Sequence, residues 1–411
     1  MSFTPYRRVL AVPGVLPLLL FGVLARVPMT AAGVVLTLHV VTTLGLGYAA
    51  AGLVAASATL GMAVGSPWRG RAVDRLGLRR ALLPSILAEA VVWGSAPFLP
   101  YRELLVAAFV GGVLGLPIFT VTRQSLSVLV DQAQRRTAYS LDSIGVELSF
   151  ILGPTAGVLI ATQVSTTAAL LAVGACMVVA GVALFAFDPP TRSQASLDEP
   201  ETAVNGGPGR GTGARSWFTP GMAAVLGAAA AGTVVLAGTD VGVVAHLRGQ
   251  DAVQLTGVVF AAWAAGSIAG ALVYGAMSRP VPPLVLLLGL AVLTIPVGLA
   301  PSPALLALAI VPAGALCAPV ITATAEAVAR MVPERVRGEA MGWHGSALTV
   351  GSGLGAPLAG AAIDAAAPWA GFAAVGAAGL VLGACGLGLQ RLARRRRRVR
   401  ELPAGELVGV A

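Results

Sequence analysis

Residues 52–80 read GLVAASATLGMAVGSPWRGRAVDRLGLRR. Residues 52–68 carry no charge, whereas residues 69–80 hold five arginines and Asp74. An apolar run that ends in a basic turn is how a membrane span meets its loop. Gly52, Gly61, Gly65 and Gly70 punctuate the run, and Gly257, Gly266, Gly270 and Gly275 repeat it at an offset of 205. Gly112, Leu114, Pro117, Thr120 and Thr122 recur as Gly314, Leu316, Pro319, Thr322 and Thr324, offset by 202. Pro154 and Gly157 recur as Pro357 and Gly360, offset by 203. Three helix pairs in near-constant register indicate two copies of one unit.

Composition agrees. Only 11% of the 411 residues are charged and 56% are hydrophobic. A soluble domain carries about 25% charge, and disorder, collagen and disulfide scaffolds are excluded by the same figures. Runs without Asp, Glu or Arg cover 27–68, 148–187, 216–239, 252–278, 280–325, 340–363 and 365–390. Divided at glycine, proline and polar residues, they give spans at 12–41, 47–67, 81–99, 103–122, 139–160, 166–187, 220–240, 252–277, 284–299, 304–327, 339–363 and 367–390. The expected fold is an all-α membrane protein, with 12 transmembrane helices in two pseudo-symmetric six-helix halves.

All 27 basic residues are arginine. With both termini cytoplasmic, 24 of them fall in cytoplasmic segments. Arg102 and Arg248 fall outside, and Arg26 falls within span one. The net charge of +9 is therefore an orientation signal and not a reason to expect nucleic acid. The expected division is a half at 1–187, a flexible cytoplasmic linker at 188–219, a half at 220–390 and a basic cytoplasmic tail at 391–411. The linker is rich in Gly, Pro, Ser and charge and cannot bury enough apolar area to fold. The tail reads as a stop-transfer anchor or as a contact for anionic headgroups. Cys176, Cys317 and Cys385 form no CxxC pair, and His39, His246 and His344 are scattered, so neither metal nor cofactor is expected.

Gly70-Arg-Ala-Val-Asp74-Arg75-Leu-Gly77-Leu-Arg79-Arg80 resembles the loop signature between spans two and three of the major facilitator superfamily. Gly153-Pro154-Thr-Ala-Gly157 is similar to the Gly-Pro motif of its 12-span drug/proton antiporters. The resemblance implies that Asp74 helps lock a cytoplasmic gate and that the Gly-Pro segment seals against proton leak. Two departures stand out. The antiporters usually carry an intramembrane arginine in span four, where Arg123 here falls at the cytoplasmic end. The second copy of the loop has Arg279 where Asp74 has its counterpart.

The gating loop thus comprises Gly70, Asp74, Arg75, Gly77, Arg79 and Arg80. Its glycines suit positive φ or close approach, and its acid and bases suit ion pairs that form in one state only. In span five, Gly145, Ser149, Gly153 and Gly157 recur every fourth residue. With Pro154 they read as tight packing and as a hinge where the halves meet. Intramembrane charge needs a partner or a wet cavity. Arg26, Asp142 and Glu147 are the proton or substrate candidates. Glu147 points about 200° from Gly145, and an Arg26–Glu147 pair in the central cavity is expected. Burial and loss of that partner would alternate the proton affinity of Glu147. Asp142 lies on a different face. Glu89 either bonds Ser57 or Thr59 or faces lipid protonated. Glu326 and Arg330 pair locally, and Asp240 and Asp364 sit solvated at external span ends.

These residues predict a secondary transporter that exports a small amphipathic organic molecule, a drug or natural product, against protons. It is expected to be a monomer in a bacterial plasma membrane. An uptake proton symporter is the alternative. The chain lacks a nucleotide-binding Gly-Lys-Ser/Thr loop and clustered aspartates for an enzyme, and its short loops argue against a sensor.

Overall fold

The computed structural model describes residues 4–193 and 217–401, with side chains to Arg391. All regular structure among them is helical. Eleven helices are long and apolar enough to cross a membrane. In chain order they are Val15–Thr43, Tyr48–Leu76, Leu78–Phe98, Tyr101–Leu129, Arg135–Gln163, Thr166–Phe187, Pro220–Gly249, Val253–Ala276, Pro303–Met331, Glu334–Ala365 and Pro368–Arg391. A shorter apolar helix, Pro283–Leu299, lies ninth in order and completes twelve spans. It is α-helical to Thr294 and finishes in a tighter 3-10 turn. The larger rise of that turn brings it to about 28 Å, close to the apolar core of a bilayer.

Helices are the only open-ended backbone that satisfies itself in lipid. Their starts still need acceptors for free N–H groups. Ser165, Thr219 and Ser302 cap spans six, seven and ten through their side-chain oxygens. Large apolar side chains such as Leu24, Leu60, Leu87, Val106, Leu308 and Val381 are exposed on the outside. Water would penalise that surface, and lipid accepts it.

The glycine repeat is a packing repeat. A Cβ on Gly61 or Gly65 would strike the carbonyls of Phe109 or Val113 on span four. A Cβ on Gly266 or Gly270 would strike those of Val311 or Ala315 on span ten. The reverse contacts match too: Gly112 sits on Ala58, and Gly314 on Trp263. Each half thus uses the same close crossing, where only glycine lets backbones touch.

The halves differ at one proline. Span ten runs unbroken through Pro319. Span four stops at Leu114, turns through Gly115–Pro117, and resumes at Ile118–Leu129. The groups freed by that break find partners. Arg69 donates to the carbonyls of Gly112, at 2.6 Å, and Val113. Glu89 accepts from the Leu116 N–H at 3.1 Å and from Trp93 Nε1 at 2.6 Å. Glu89 therefore supports the break. It bonds neither Ser57 nor Thr59, whose hydroxyls bond Leu105 and Ala55 carbonyls.

Three span ends move most. Span two continues to Leu76 instead of ending at 67, which places Gly70, Asp74 and Arg75 of the expected loop on the helix itself. Span four continues to Leu129 instead of ending at 122, which places Arg123 inside it. Span seven continues to Gly249 instead of 240, which places Asp240 well inside its end. Charge ends a span only when it is solvated, and Arg123 is buried beside a carboxylate. Of the expected linker 188–219, residues 194–216 lie outside the described residues. The last helix continues through the arginine run to Glu401, and 402–411 lie outside the described residues.

Candidate functional site

We call the end that carries the 69–80 and 330–337 turns the basic end. There the two halves are closed against each other. Span eleven begins behind Val336, whose side chain cannot cap a helix. Asp74 does so from the other half. Its Oδ1 accepts the Gly338 N–H at 3.0 Å and its Oδ2 the Glu339 N–H at 2.8 Å. A carboxylate at a helix N-terminus meets both free donors and the positive dipole end. Gln124 donates to Asp74 Oδ1 at 3.0 Å. Gly70 admits this approach, since a Cβ there would overlap the Gly338 carbonyl. Arg71 adds a bidentate pair with Glu339.

A second contact of the halves lies at the start of span five. Arg136 donates to the Met277 carbonyl at 2.7 Å and pairs with Glu326 at 3.3 Å. Thr137 Oγ1 donates to the Gly275 carbonyl at 2.7 Å. The short helix Thr4–Leu10 joins in, with the Tyr6 hydroxyl donating to the Leu272 carbonyl. Between these corners, Arg337 donates to Ser127 Oγ at 3.1 Å. Arg192 donates to the backbone oxygens of Asp74 and Arg335, and Ser193 donates to Glu334. The deepest cross-half bonds are at mid-span: Ser346 to the Ala63 carbonyl, and Ser267 to Glu147. Toward the opposite end, Gly52, Gly257 and Gly360 face open space.

The intramembrane charges fall into two groups. Arg26 Nη2 contacts Asp142 Oδ1 at 2.7 Å, and Arg123 Nε donates to Asp142 Oδ2 at 3.0 Å. Arg26 and Asp142 are fully buried, and the Arg26 guanidinium lies 4.7 Å from the Phe119 ring centre. The second group faces the seam. Glu147 Oε1 accepts from Ser267 Oγ at 2.6 Å and lies 3.9 Å from Cys317 Sγ, both on the other half. Asp240 on span seven is exposed. The expected Arg26–Glu147 pair does not form. Glu147 and Asp142 are about 140° apart around span five, and it is Asp142 that turns toward spans one and four.

A family model described as Major Facilitator Superfamily matches residues 18–295 and 249–406. The chain belongs to the major facilitator superfamily. It is therefore a multi-pass membrane transporter and not an enzyme. Among curated proteins, no sequence matches it significantly. Solved structures share the fold. A bacterial homologue of the iron transporter ferroportin, in an outward-facing state, is 14% identical with TM-score 0.71, over 91% of this chain and 98% of that one. The proton:xylose symporter XylE, bound to 6-bromo-6-deoxy-D-glucose, is 13% identical with TM-score 0.66, over 91% and 95%. The human organic anion transporter MFSD10 (TETRAN) is 18% identical with TM-score 0.65, over 92% and 99%.

Within this superfamily fold, the loop residues separate by role. Gly70 and Asp74 reach the other half. Gly77 has φ +79, which only glycine adopts freely. Arg79 pairs with Asp188 of its own half at 3.0 Å, and Arg75 and Arg80 are exposed. The small-residue stripe does not lie where the halves meet. Gly145, Gly153 and Gly157 pack on Val23, Thr30, Ala31 and Val35 of span one. Ser149 Oγ donates to the Val23 carbonyl at 3.1 Å, and span five stays helical through Pro154. Sequence reading missed Arg71, Gln124, Arg136 and Arg337 as seam residues. A positive-inside arginine and a gate arginine have the same sequence signature. His344 is buried and bonds Thr324 at 2.9 Å. Glu326 contacts Arg330 as expected and Arg136 besides.

Proposed function

We propose that this transporter exports a small amphipathic organic molecule in exchange for protons, as a monomer in a bacterial plasma membrane. The basic end with both termini is cytoplasmic, by the arginine bias. Residues 1–187 and 220–390 are then the rocking halves, and 188–219 and 391–411 a cytoplasmic linker and tail. Closure at the basic end describes a state shut toward the cytoplasm.

The carrying observation is Glu147. It is an acid at mid-span, it bonds across the seam to Ser267, and it forms no ion pair among the described residues. Rocking breaks that bond and changes the surroundings of the carboxylate, which is how proton affinity alternates. Asp240, an acid inside span seven of the other half, is the candidate for a second proton acceptor. The placement of Arg123 inside span four restores the arginine that the drug/proton antiporters carry there. That supports the antiporter subtype over an uptake symporter, with the Gly-Pro segment of span five as a leak seal.

Proteoliposomes with an imposed pH gradient test the reading. A fluorescent amphiphile should move only with the gradient, and Glu147→Gln should exchange substrate without following it. Gradient-driven movement unchanged in Glu147→Gln would sink the proton role. Accumulation in the direction of proton flow would establish the symporter instead.

A further inference from the structure

The buried group around Arg26 is out of balance. Two guanidiniums share the single carboxylate of Asp142. Arg26 is fully buried, yet its Nε and Nη1 have no hydrogen-bond partner. A buried cation without full pairing is costly at membrane depth. A Cβ on Gly22 would come within 3.1 Å of Nη1, so the lack of a side chain there is what admits the guanidinium. The Phe119 face covers the guanidinium. The other ionisable groups facing this cluster are His344 on span eleven and Tyr139, which donates to the Arg123 carbonyl at 3.1 Å. Neither supplies a resident negative charge.

The cluster adjoins the seam. Ser143, next to Asp142, bonds Thr322 of the other half at 2.9 Å. Arg26, Arg123 and Asp142 lie between mid-span and the basic end, about 9–16 Å from where their helices begin or finish there. Parting the halves at that end removes Thr322 and His344 and uncovers Arg123 and Asp142.

We infer that Arg26 and Arg123 form the site for a singly charged anionic group, so that the substrate is an amphipathic organic anion taken up from the basic end. The inference rests on the transporter reading and narrows its substrate class. A carboxylate there accepts the free Nε and Nη1 donors of Arg26 in the planar geometry that arginine favours. Asp142 keeps one guanidinium while the ligand takes the other, so the bound cluster is neutral where the empty one carries an excess positive charge. Glu147 stands farther along the seam and, with Asp240, keeps its proton role.

The test is binding to the purified full-length protein, which needs no transport. Thermal unfolding is followed with sodium benzoate and with neutral benzamide at constant ionic strength. Benzoate should raise the midpoint saturably, and benzamide should not. Arg26→Gln should weaken benzoate about tenfold or more. Arg123→Gln provides a second variant should the first fold poorly. Equal shifts from benzoate and benzamide, or a benzoate shift that survives both substitutions, would overturn the assignment. Benzoate binding by the parent protein without any proton-driven transport would instead count against the coupling reading alone.

Discussion

The basic end is sealed at two corners that the internal repeat makes equivalent, and they use opposite chemistry. At one, the last turns of span two meet the start of span eleven, and an acid on them, Asp74, accepts from the free N–H groups of that helix. At the other, the loop after span eight meets the start of span five, and Arg136 and Thr137 donate to the last carbonyls of span eight. Each choice complements a helix dipole, negative charge at an N-terminus and positive charge at a C-terminus. The acidic loop signature is therefore one of two ways to close this fold, and the degraded second copy still makes a corner. The corners differ in sharing. Asp74 alone serves both helix N–H groups at the first corner, with Arg71–Glu339 beside it, while the second corner divides its bonds among Arg136, Thr137 and Tyr6.

That difference predicts unequal losses. Asp74→Ala strands two helix N–H groups, each costing about 1–3 kcal/mol when buried. The ratio of basic-open to basic-closed molecules should rise roughly a hundredfold, for about 3 kcal/mol in total. Ala340 is buried beneath this corner. A cysteine there, in a background without the native cysteines, should react with maleimide far faster in Asp74→Ala. An unchanged labelling rate would mean that the carboxylate does not hold the seal.

Arg136→Ala should have a smaller effect of the same sign. It removes a charge-assisted bond to Met277 and the pair with Glu326, worth about 1.5–2 kcal/mol together. Thr137 still holds Gly275, and roughly a tenfold rise in labelling is expected. Arg136 is largely buried, so the effect should persist in high salt, which weakens exposed pairs. A strongly salt-dependent phenotype would place the loss among surface charges.

The sequence showed the spans and the repeat, because both depend on local facts. A span needs only a run of apolar residues, and a helix crossing needs glycine at fixed spacing. It did not show pairings that depend on which neighbour a helix face meets. Helical spacing turns Glu147 away from the glycine stripe; the stripe packs on span one, so the opposite face meets the second half and not Arg26. Asp142 looked secondary because one dimension gives an angle around span five and no partner for it. Arg123 looked like a span end because the break at Gly115–Pro117 adds a turn that no apolar count reveals. Arg69 and Glu89, which support that break, lie on two other helices.

The smallest effect is the most informative about the two corners. Arg279 stands where the second copy has lost its acid, and it is exposed. If an acid in this loop were sufficient for a seal, Arg279→Asp would tighten the second corner. The geometry predicts otherwise. Asp74 works because Gly70 lets its helix touch the start of span eleven, where two free N–H groups point at it. At the second corner Gly275 is approached by Tyr6 and Ser140 side chains, and the start of span five presents Arg136 and Thr137 as donors to span-eight carbonyls. A carboxylate at 279 finds solvent, and a solvated substitution changes little. Labelling at position 340 should therefore stay within about twofold of the parent. A tenfold slower rate would show that the corner can be closed from the acid side as well, and that the two chemistries are interchangeable.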